Sequence, residues 1–280
     1  MIQHHSNPGT MIGRGKLGLP FLWFSFLSGD VVVSLVANLF YFSHHTGQII
    51  SPYLSGFYLL AVWAFYLLDH SLDAKKELVK SKRGEFYKQF QIPINISITM
   101  SGILSILCFF FWVRSVGFDA AFPIFFWGII FILGVVLAEI LKLSFPKEIF
   151  ISLVYVGAIL APFPIRFSDP LIFVFFLHVN ANVFYTYLLD AKTDALQGRS
   201  TITNRIGLNW TKKIFWMQLI LGEMILIHCL VFQKISLPNF FVWFTIYLYL
   251  LVLDFFPLSQ GAKKSLAEWS YCPLLLVFLF

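Results

Sequence analysis

The chain contains one nine-residue pattern twice, first as Tyr66-Leu67-Leu68-Asp69-His70-Ser71-Leu72-Asp73-Ala74 and again as Tyr187-Leu188-Leu189-Asp190-Ala191-Lys192-Thr193-Asp194-Ala195. Each copy stands at the end of a long apolar run. Residues four apart share one face of a helix, so each copy predicts two aspartates stacked one turn apart. Such a pair repels itself unless a positive charge lies between its members, and a bound cation is the natural candidate.

The composition around these two copies is that of a membrane protein. Hydrophobic residues make up 59% of the 280 positions and charged residues only 12%, which is too little polar material to cover a water-soluble globule. The three cysteines, Cys108, Cys229 and Cys272, lie in apolar runs and suggest neither a disulfide framework nor a zinc site. Residues 1–16 are polar and are followed by an apolar stretch too long for a signal core, so we expect no cleaved signal peptide.

Apolar runs of membrane-spanning length follow one another along the chain, which predicts an all-α polytopic membrane protein with about nine helices in a single bundle around a central cavity. We expect one domain over residues 1–280, beginning with a polar N-terminus at 1–16. The predicted spans are 18–42, 49–68, 92–113, 119–141, 148–165, 169–189, 213–232, 236–257 and 266–280. The last is short for a complete crossing.

The basic residues give this topology an orientation. If the N-terminus is cytoplasmic, 17 of the 20 lysines and arginines fall on the cytoplasmic side, and only Arg114, Arg166 and Lys234 fall on the other. This distribution follows the positive-inside rule and places both aspartate copies on the cytoplasmic side. The bases are divided among separate loops, so we expect contacts with lipid headgroups and no nucleic-acid partner. The polar loop at 74–91 is long enough to fold as a lid over the membrane face or to remain a solvated connector.

Both copies end even-numbered spans, so Asp69, Asp73, Asp190 and Asp194 are expected at the same depth. Carboxylates at a membrane boundary are costly unless they pair, line a wet cavity or bind a metal, although each could also be an ordinary helix end facing water. Carboxylates without neighbouring cysteine or paired histidine favour a hard cation such as Mg²⁺, which is commonly shared with substrate phosphates. With lysine and arginine nearby, the set predicts a site for a diphosphate.

These motifs resemble those of the UbiA superfamily of intramembrane prenyltransferases. The second copy continues through Gly198, Thr201 and Ile202 to Arg205-Ile206-Gly207, which is similar to the family's Asp-x-x-x-Asp-x-x-x-Gly-x-x-Thr-Leu stretch and the Leu-Gly after it. A third similarity is the segment from Lys142 through Pro146 to Gly157. The resemblance covers the arrangement of nearly the whole chain, but the residue matches are concentrated in these three stretches.

The resemblance implies Mg²⁺-dependent transfer of a prenyl group from a polyprenyl diphosphate to an aromatic or lipid-like acceptor within the membrane. The four aspartates are then the metal-binding and catalytic residues. We expect diphosphate contacts from Lys142 and Arg199 and further contacts from Lys147 and Lys192. Lysines near helix ends also commonly extend to headgroups. Tyr66 and Tyr187 adjoin the aspartates and are candidates to bind phosphate, although tyrosine is also common at membrane interfaces.

The first copy departs from the family pattern. Phe65 occupies the position of an asparagine that usually precedes the two aspartates, and an apolar ring cannot bind metal. Glu77 lies one turn beyond Asp73 and is either a replacement oxygen ligand or a partner of a loop lysine. Ser81-Lys82-Arg83-Gly84 stands where quinone-pathway members have an Arg-Pro segment, so the acceptor is not identified.

Two polar residues inside the predicted spans are further candidates for the substrate cavity. Asp30 falls near the middle of the first span, where we expect either acceptor recognition or a hydrogen bond to another helix. Asn182 lies eight residues before Asp190, on roughly the same helix face, and lines the pocket or joins two helices.

Two other functions fit the same features. A terpene cyclase on the same scaffold would use the same diphosphate chemistry without an acceptor. A secondary carrier would also contain repeats and intramembrane carboxylates, but carriers bind ions near the midplane, whereas these carboxylates are predicted at one boundary. The sequence does not indicate the acceptor, the prenyl length or the oligomeric state.

Overall fold

The structure is a computed structural model that describes residues 23–78, 81–140, 147–166, 168–198 and 201–279. Within these ranges the chain is helical and contains no strand, which confirms the all-α prediction. The helices are α1 (Gly29–Thr46), α2 (Pro52–Lys76), α3 (Lys82–Gln89), α4 (Gln91–Val116), α5 (Phe118–Ile140), α6 (Lys147–Leu160), α7 (Pro170–Leu196), α8 (Ile202–Ile206), α9 (Leu208–Val231), α10 (Leu237–Phe255), α11 (Gln260–Glu268) and a 3₁₀ helix, Trp269–Leu279.

Four of these helices, α4, α7, α9 and α10, are long and apolar enough to cross a membrane. These helices indicate an integral membrane protein with four candidate spans among the described residues. The nine-span arrangement remains a prediction. The outer faces of α4 and α9 carry exposed apolar side chains such as Ile106, Phe110, Met217 and Met224, a pattern typical of lipid contact.

Neighbouring elements pack in an order that closes a ring. Contacts run from α1 to α2, α4, α5, α6, α7, α9 and α10, then to the 3₁₀ helix and back to α1. α7 is the most enclosed of the candidate spans, with 61% of its apolar window buried against 17% for α4, so α7 faces inward and α4 outward. Close approach within the ring has local causes: the Trp127 ring lies directly against Gly157, where a Cβ atom would collide with it.

One end of the ring interior is filled by aromatic side chains. The Trp243 indole donates a hydrogen bond to the Tyr41 hydroxyl at 2.8 Å, and Tyr41 donates to Asn239 at 2.9 Å. Tyr58 on α2 donates to the Ala158 carbonyl on α6 at 2.6 Å and so crosses the interior between helices that are not neighbours in the ring. Because these groups are buried and hydrogen-bonded, the ring is packed at this end.

The first predicted span, 18–42, is interrupted. Residues 23–26 are helical, but Ser28 adopts a left-handed conformation with φ 58°, and α1 begins only at Gly29. Left-handed backbone cannot continue an α-helix, so Asp30 lies in the first turn of α1. The prediction of one continuous helix over this span is therefore wrong, while the depth of Asp30 in the membrane stays a prediction.

The loop at 74–91 and the last predicted span also differ from expectation. Part of the loop forms α3, whose Ser81 caps the helix by accepting from the Gly84 amide at 3.0 Å. Residues 260–265, which lie between the last two predicted spans, form most of α11 (Gln260–Glu268), and α11 packs against α1, α7 and α10. The predicted span at 266–280 is divided between the end of α11 and the 3₁₀ helix, which contains Pro273.

Candidate active site

The first aspartate copy lies in the last two turns of α2. Asp69 is exposed and Asp73 half-buried, while His70, in the turn between them, is largely surrounded by protein atoms. The His70 ring lies 3.2 Å from Ser28 Oγ on one side and 3.2 Å from Arg83 Nη1 on the other. His70 thus joins the break before α1, the end of α2 and the start of α3.

α3 is held over this end of α2. The Tyr87 hydroxyl donates to the Phe26 carbonyl at 2.8 Å and also approaches the His70 ring at 3.4 Å. Burial raises the pKa of Tyr87 to about 12, so its hydroxyl keeps its proton at neutral pH. Glu77 accepts from the Ser81 hydroxyl at 2.5 Å and from the Ser81 amide at 3.3 Å, so its carboxylate helps to fix the turn before α3. Part of the 74–91 loop is therefore folded against the end of α2, and a role for it as a lid stays a prediction.

The second aspartate copy lies at the corresponding end of α7 and is more enclosed. Asp194 is buried, and Asp190 is half-buried in an ion pair with Lys264 of α11. Lys192, on the other side of the helix, is exposed. The same pattern of residues is thus present at both helix ends, but only the Asp190 copy is covered by α11.

Tyr187 lies near carboxylates from both copies, and Tyr66 lies near Asp69 of the first copy. The Tyr187 hydroxyl interacts electrostatically with Asp69 of the first copy and with Asp190 and Asp194 of the second copy. It also interacts with Glu148. The Tyr66 hydroxyl lies within range of Asp69 and of two further carboxyl groups, Asp30 and Glu268. The structure therefore brings Asp69, Asp190 and Asp194 to one end of the ring, as the repeat predicts.

The predicted phosphate-binding bases are only partly described. Lys147 lies over the Tyr187 ring at 5.8 Å from its centroid and so borders this space. Lys142 and Arg199 lie outside the described residues, as does the polar N-terminus at 1–16.

Glu148 supports the second copy and was not anticipated from the sequence. It is 2% exposed, and its Oε1 accepts a hydrogen bond from the Ile202 amide at 2.9 Å. This bond ties the start of α8, within the Gly198–Ile202 part of the motif, to the start of α6. A glutamate beside Lys147 in an otherwise apolar helix was the available signal, because such a residue needs a partner when buried.

Asp30 and Asn182 are both engaged with α11 or the segment that follows it. The Asp30 carboxylate accepts three hydrogen bonds: from the Ser25 hydroxyl at 2.8 Å, from the Val31 backbone amide at 3.0 Å and from the Ser265 hydroxyl at 3.3 Å. Asn182 donates to the Ala267 carbonyl at 3.0 Å and to Ser270 at 3.3 Å. The hydrogen bonds of Asn182 match the prediction that it joins two helices.

Phe65 packs against the wall of the ring. Its ring meets Phe131 of α5 with centroids 4.9 Å apart and remains 41% exposed. The position that would carry an asparagine in the resembling family is thus used here for a contact between α2 and α5.

The carboxylates fit Mg²⁺ in donor type. No group of three or more histidine, cysteine, aspartate or glutamate side chains in the described ranges is arranged to hold one ion. Mg²⁺ commonly binds through one or two protein carboxylates and completes its shell with water and substrate phosphate oxygens. The pairs Asp69 with Asp73 and Asp190 with Asp194 each offer the two carboxylates that such a Mg²⁺ site needs. In the structure, the positive charge beside Asp190 comes from Lys264.

Comparisons with known proteins add no relative. No family model, no curated protein and no solved structure matches the chain.

Proposed function

We propose that this protein transfers a prenyl group from a polyprenyl diphosphate to an aromatic or lipid-like acceptor within the membrane, with Mg²⁺ as cofactor. The observation that carries the proposal is the position of Tyr187, whose hydroxyl lies within electrostatic range of carboxylates from both copies of the motif. Two separated carboxylate pairs facing one space, with Lys147 and Lys264 at its border, suit a ligand with several phosphate oxygens.

The chain's own groups have distinct parts in this proposal. Asp69, Asp73, Asp190 and Asp194 would hold the metal, and Lys147, Lys264, Lys142 and Arg199 would contact the diphosphate. Mg²⁺, when bound, offsets the phosphate charge and stabilises the leaving group. Lys192 is exposed, and a contact between it and the diphosphate stays a prediction.

The proposed reaction balances without an oxidant or reductant. The bond between the allylic carbon and the diphosphate oxygen breaks, and diphosphate leaves with the electron pair. An electron-rich atom of the acceptor forms the new bond to that carbon, and the proton that the acceptor loses passes to the departing diphosphate. Water would trap the cationic carbon, so the enclosed rings of Tyr66 and Tyr187 serve to exclude water and to face the positive charge.

The proposal includes the finer topology of nine spans with both aspartate copies on the cytoplasmic side. Its support is the ring of neighbouring elements together with the distribution of basic residues. In a version with the three cysteines replaced, a cysteine at Lys88 should react with an impermeant maleimide only from the cytoplasmic side, and one at Lys234 only from the opposite side. Labelling of both positions from one side contradicts this topology.

The activity is tested with purified protein, Mg²⁺ and labelled geranyl, farnesyl or geranylgeranyl diphosphate, with membrane lipid extract as the acceptor pool. We expect release of pyrophosphate and a labelled product, both abolished by EDTA. Asp69→Ala and Asp190→Ala should each lower the rate by about 100-fold or more. Asp119→Ala, which changes an exposed aspartate in the first turn of α5, is the matched control and should retain activity.

The outcomes separate the competing functions. Release that needs no acceptor and yields a cyclic hydrocarbon identifies a cyclase. Flux of ions or solutes into proteoliposomes without diphosphate chemistry identifies a carrier. No release with any donor, or release by Asp69→Ala and Asp190→Ala at the wild-type rate, overturns the enzymatic proposal.

A further inference from the structure

An open groove of about 700 Å³ runs along the outer face of α9. The described residues that line it begin with Lys212 and Lys213, continue past Trp216 and Ile220, and end with Met224. Its volume lies within the range of about 300–1,000 Å³ that is usual for sites that hold small organic ligands. Because α9 is a candidate membrane span, the groove opens toward the surrounding bilayer. We refer to it as the α9 groove.

The apolar part of the α9 groove has about the length of one bilayer leaflet. Ile220 and Met224 are 53% and 62% exposed and lie one turn apart on the same helix face. Trp216 connects this face to α10, because its ring meets that of Phe255 with centroids 5.3 Å apart. An α-helix rises about 18 Å between Lys212 and Met224, and half of the hydrocarbon core measures about 15 Å. Starting from lysines at the membrane surface, the groove therefore reaches the middle of the bilayer.

Two lysines make the other end of the α9 groove positively charged. Lys212 Nζ lies 3.2 Å from Asp254 Oδ2 of α10, but the Lys212 side chain is 57% exposed and that of Asp254 only 15%. The ammonium group of a lysine has three donors, so the exposed side of Lys212 can bind a further acceptor. Lys213 lies over the Trp210 ring at 4.7 Å from its centroid, and no carboxylate in the described ranges pairs with it. A negatively charged group is therefore the ligand that fits this end.

The two parts of the α9 groove match the two parts of one kind of molecule. A phosphate group beside Lys212 and Lys213 would gain charge-assisted hydrogen bonds. An acyl chain would pack against the apolar side chains that follow along the helix. Tryptophan beside lysine is typical of the membrane interface, where a lipid headgroup joins its chains. A phospholipid of the adjacent leaflet has this form and this length.

We propose that the α9 groove binds one anionic phospholipid of the surrounding bilayer, with its phosphate at Lys212 and Lys213 and an acyl chain along the apolar side chains that follow. A zwitterionic phospholipid brings a positive amine to the two lysines, which repel it, whereas an anionic headgroup brings no such charge. An exposed lysine near a membrane surface favours an anionic headgroup by about 5-fold. The two lysines should therefore select an anionic lipid, and this inference does not depend on the proposed prenyl transfer.

The test compares two lipids with the same chains, the anionic palmitoyl-oleoyl phosphatidylglycerol and the zwitterionic palmitoyl-oleoyl phosphatidylcholine. The delipidated full chain in detergent is mixed with equal amounts of both, and native mass spectrometry measures which lipid occupies the adduct that carries one lipid. We expect the wild-type protein to retain about 10 times more phosphatidylglycerol than phosphatidylcholine. This ratio is smaller than two unshared charges would give, because Lys212 shares its charge with Asp254.

Lys212→Gln combined with Lys213→Gln should reduce the ratio to within about 2-fold of unity, because both selecting charges are lost. Lys75→Gln combined with Lys76→Gln is the matched control. Both of these lysines are exposed in the last turn of α2, and their removal changes the net charge by the same amount. The control should keep the wild-type ratio.

A second pair of variants tests the apolar part of the α9 groove. Ile220→Trp fills the middle of the groove without changing its lysines and should lower retention of phosphatidylglycerol several-fold. Ile106→Trp is its control, because Ile106 is 69% exposed on the outer face of α4, and this variant should retain the lipid as the wild type does. Circular dichroism of all variants checks folding.

Equal retention of the two lipids, no retention of either, or an unchanged ratio after both groove lysines are replaced overturns the lipid site. An equal loss of selectivity in the variant of Lys75 and Lys76 also overturns it, because net charge alone would then select the lipid. Displacement of phosphatidylglycerol by an equal concentration of geranylgeranyl diphosphate assigns the groove to a prenyl donor. A lipid-free dimer that Ile220→Trp dissociates assigns it to a second copy of the chain. Either of these results likewise overturns the proposal.

Discussion

The ends of α2 and α7 carry the same nine-residue pattern in different surroundings. At α2, Asp69 is exposed, and the adjacent His70 is linked to Ser28 and Arg83. At α7, Asp190 is half-buried against Lys264 of α11. In the first copy, His70 contacts α3 through Arg83. In the second copy, Asp190 contacts α11 through Lys264. The two copies of the motif therefore predict the same chemistry, but they make different contacts with the rest of the fold.

The largest expected effect comes from neutralising the first aspartate of each copy. Asp69→Asn and Asp190→Asn should both lower prenyl transfer by about 100-fold or more, because each removes a charged oxygen from the metal and diphosphate site. Asp190→Asn also leaves Lys264 without its ion-pair partner, which should cost about 1 kcal/mol and lower the unfolding temperature by about 2–4 °C. Activity assays and thermal unfolding in detergent check the two parts, and a wild-type unfolding temperature in Asp190→Asn contradicts a stabilising role for the Lys264 pair.

Lys264 tests whether the cover over the second copy also takes part in binding. Lys264→Ala should raise KM for the prenyl diphosphate about 10-fold, because one phosphate-binding charge is lost. Lys263→Ala is the neighbouring control, because Lys263 donates a hydrogen bond to the backbone carbonyl of Asp254 at 2.7 Å and does not pair with the motif aspartates. Its removal should leave KM within about 2-fold of wild type. Steady-state kinetics in the donor measure both values. Similar KM values for the two variants would show that Lys264 has only a structural part.

His70 tests the cover over the first copy. In His70→Phe the ring keeps its size but loses its polar contacts with Ser28, Arg83 and Tyr87, so α3 should open more often. Trypsin should cleave at Lys82, Arg83 and Lys88 about 10-fold faster, which corresponds to a loss of about 1.4 kcal/mol in local stability. Activity should fall only several-fold, because both aspartates of the copy remain. His228→Phe on α9 is the control, and unchanged cleavage in His70→Phe contradicts the role given to His70.

The sequence predicts much of the fold because hydropathy and helical periodicity are local properties. Nearly every predicted span corresponds to a helix, and the spacing of the repeat correctly brings Asp69 and Asp190 to one end of the ring. The break at Ser28 was missed because a left-handed serine has no distinctive sequence signal. Asp30 was consequently assigned to the middle of a helix that begins only one residue before it.

The rest of the site depends on tertiary contacts that local patterns do not contain. α11 lies in a short polar stretch that reads as a connecting loop, and its lysines were counted only for orientation. The pairing of Lys264 with Asp190 and the position of Glu268 arise only when α11 packs against α7 and α1. The spacing of Lys264 and Glu268, four residues apart, was the one available signal that they share a helix face.

The smallest expected effect concerns the opposite ends of the two motif-bearing helices. Ser51 caps α2 by accepting from the Leu54 amide at 3.1 Å, whereas Asp169 caps α7 by accepting from the Leu171 amide at 2.9 Å and lies 3.1 Å from the His45 ring. Burial acts to raise the pKa of Asp169, but the hydrogen bonds from His45 and Leu171 outweigh burial and hold the pKa below its usual value. A lowered carboxyl pKa stabilises the fold at pH values above about 3.9, and this contribution disappears as the pH falls through the folded-state pKa.

Asp169→Asn should therefore cost about 1 kcal/mol at pH 7 and progressively less below about pH 4, because asparagine keeps the cap but not the charge. Ser51→Ala should also cost about 1 kcal/mol, but its cost should not change with pH, since the lost cap is uncharged. Thermal unfolding of both variants between pH 3 and pH 7 measures the difference. Both caps lie at the far ends of their helices from the aspartates, so neither substitution should change KM for the diphosphate. A pH-independent loss in Asp169→Asn would show that His45 adds no charge-dependent stability to α7.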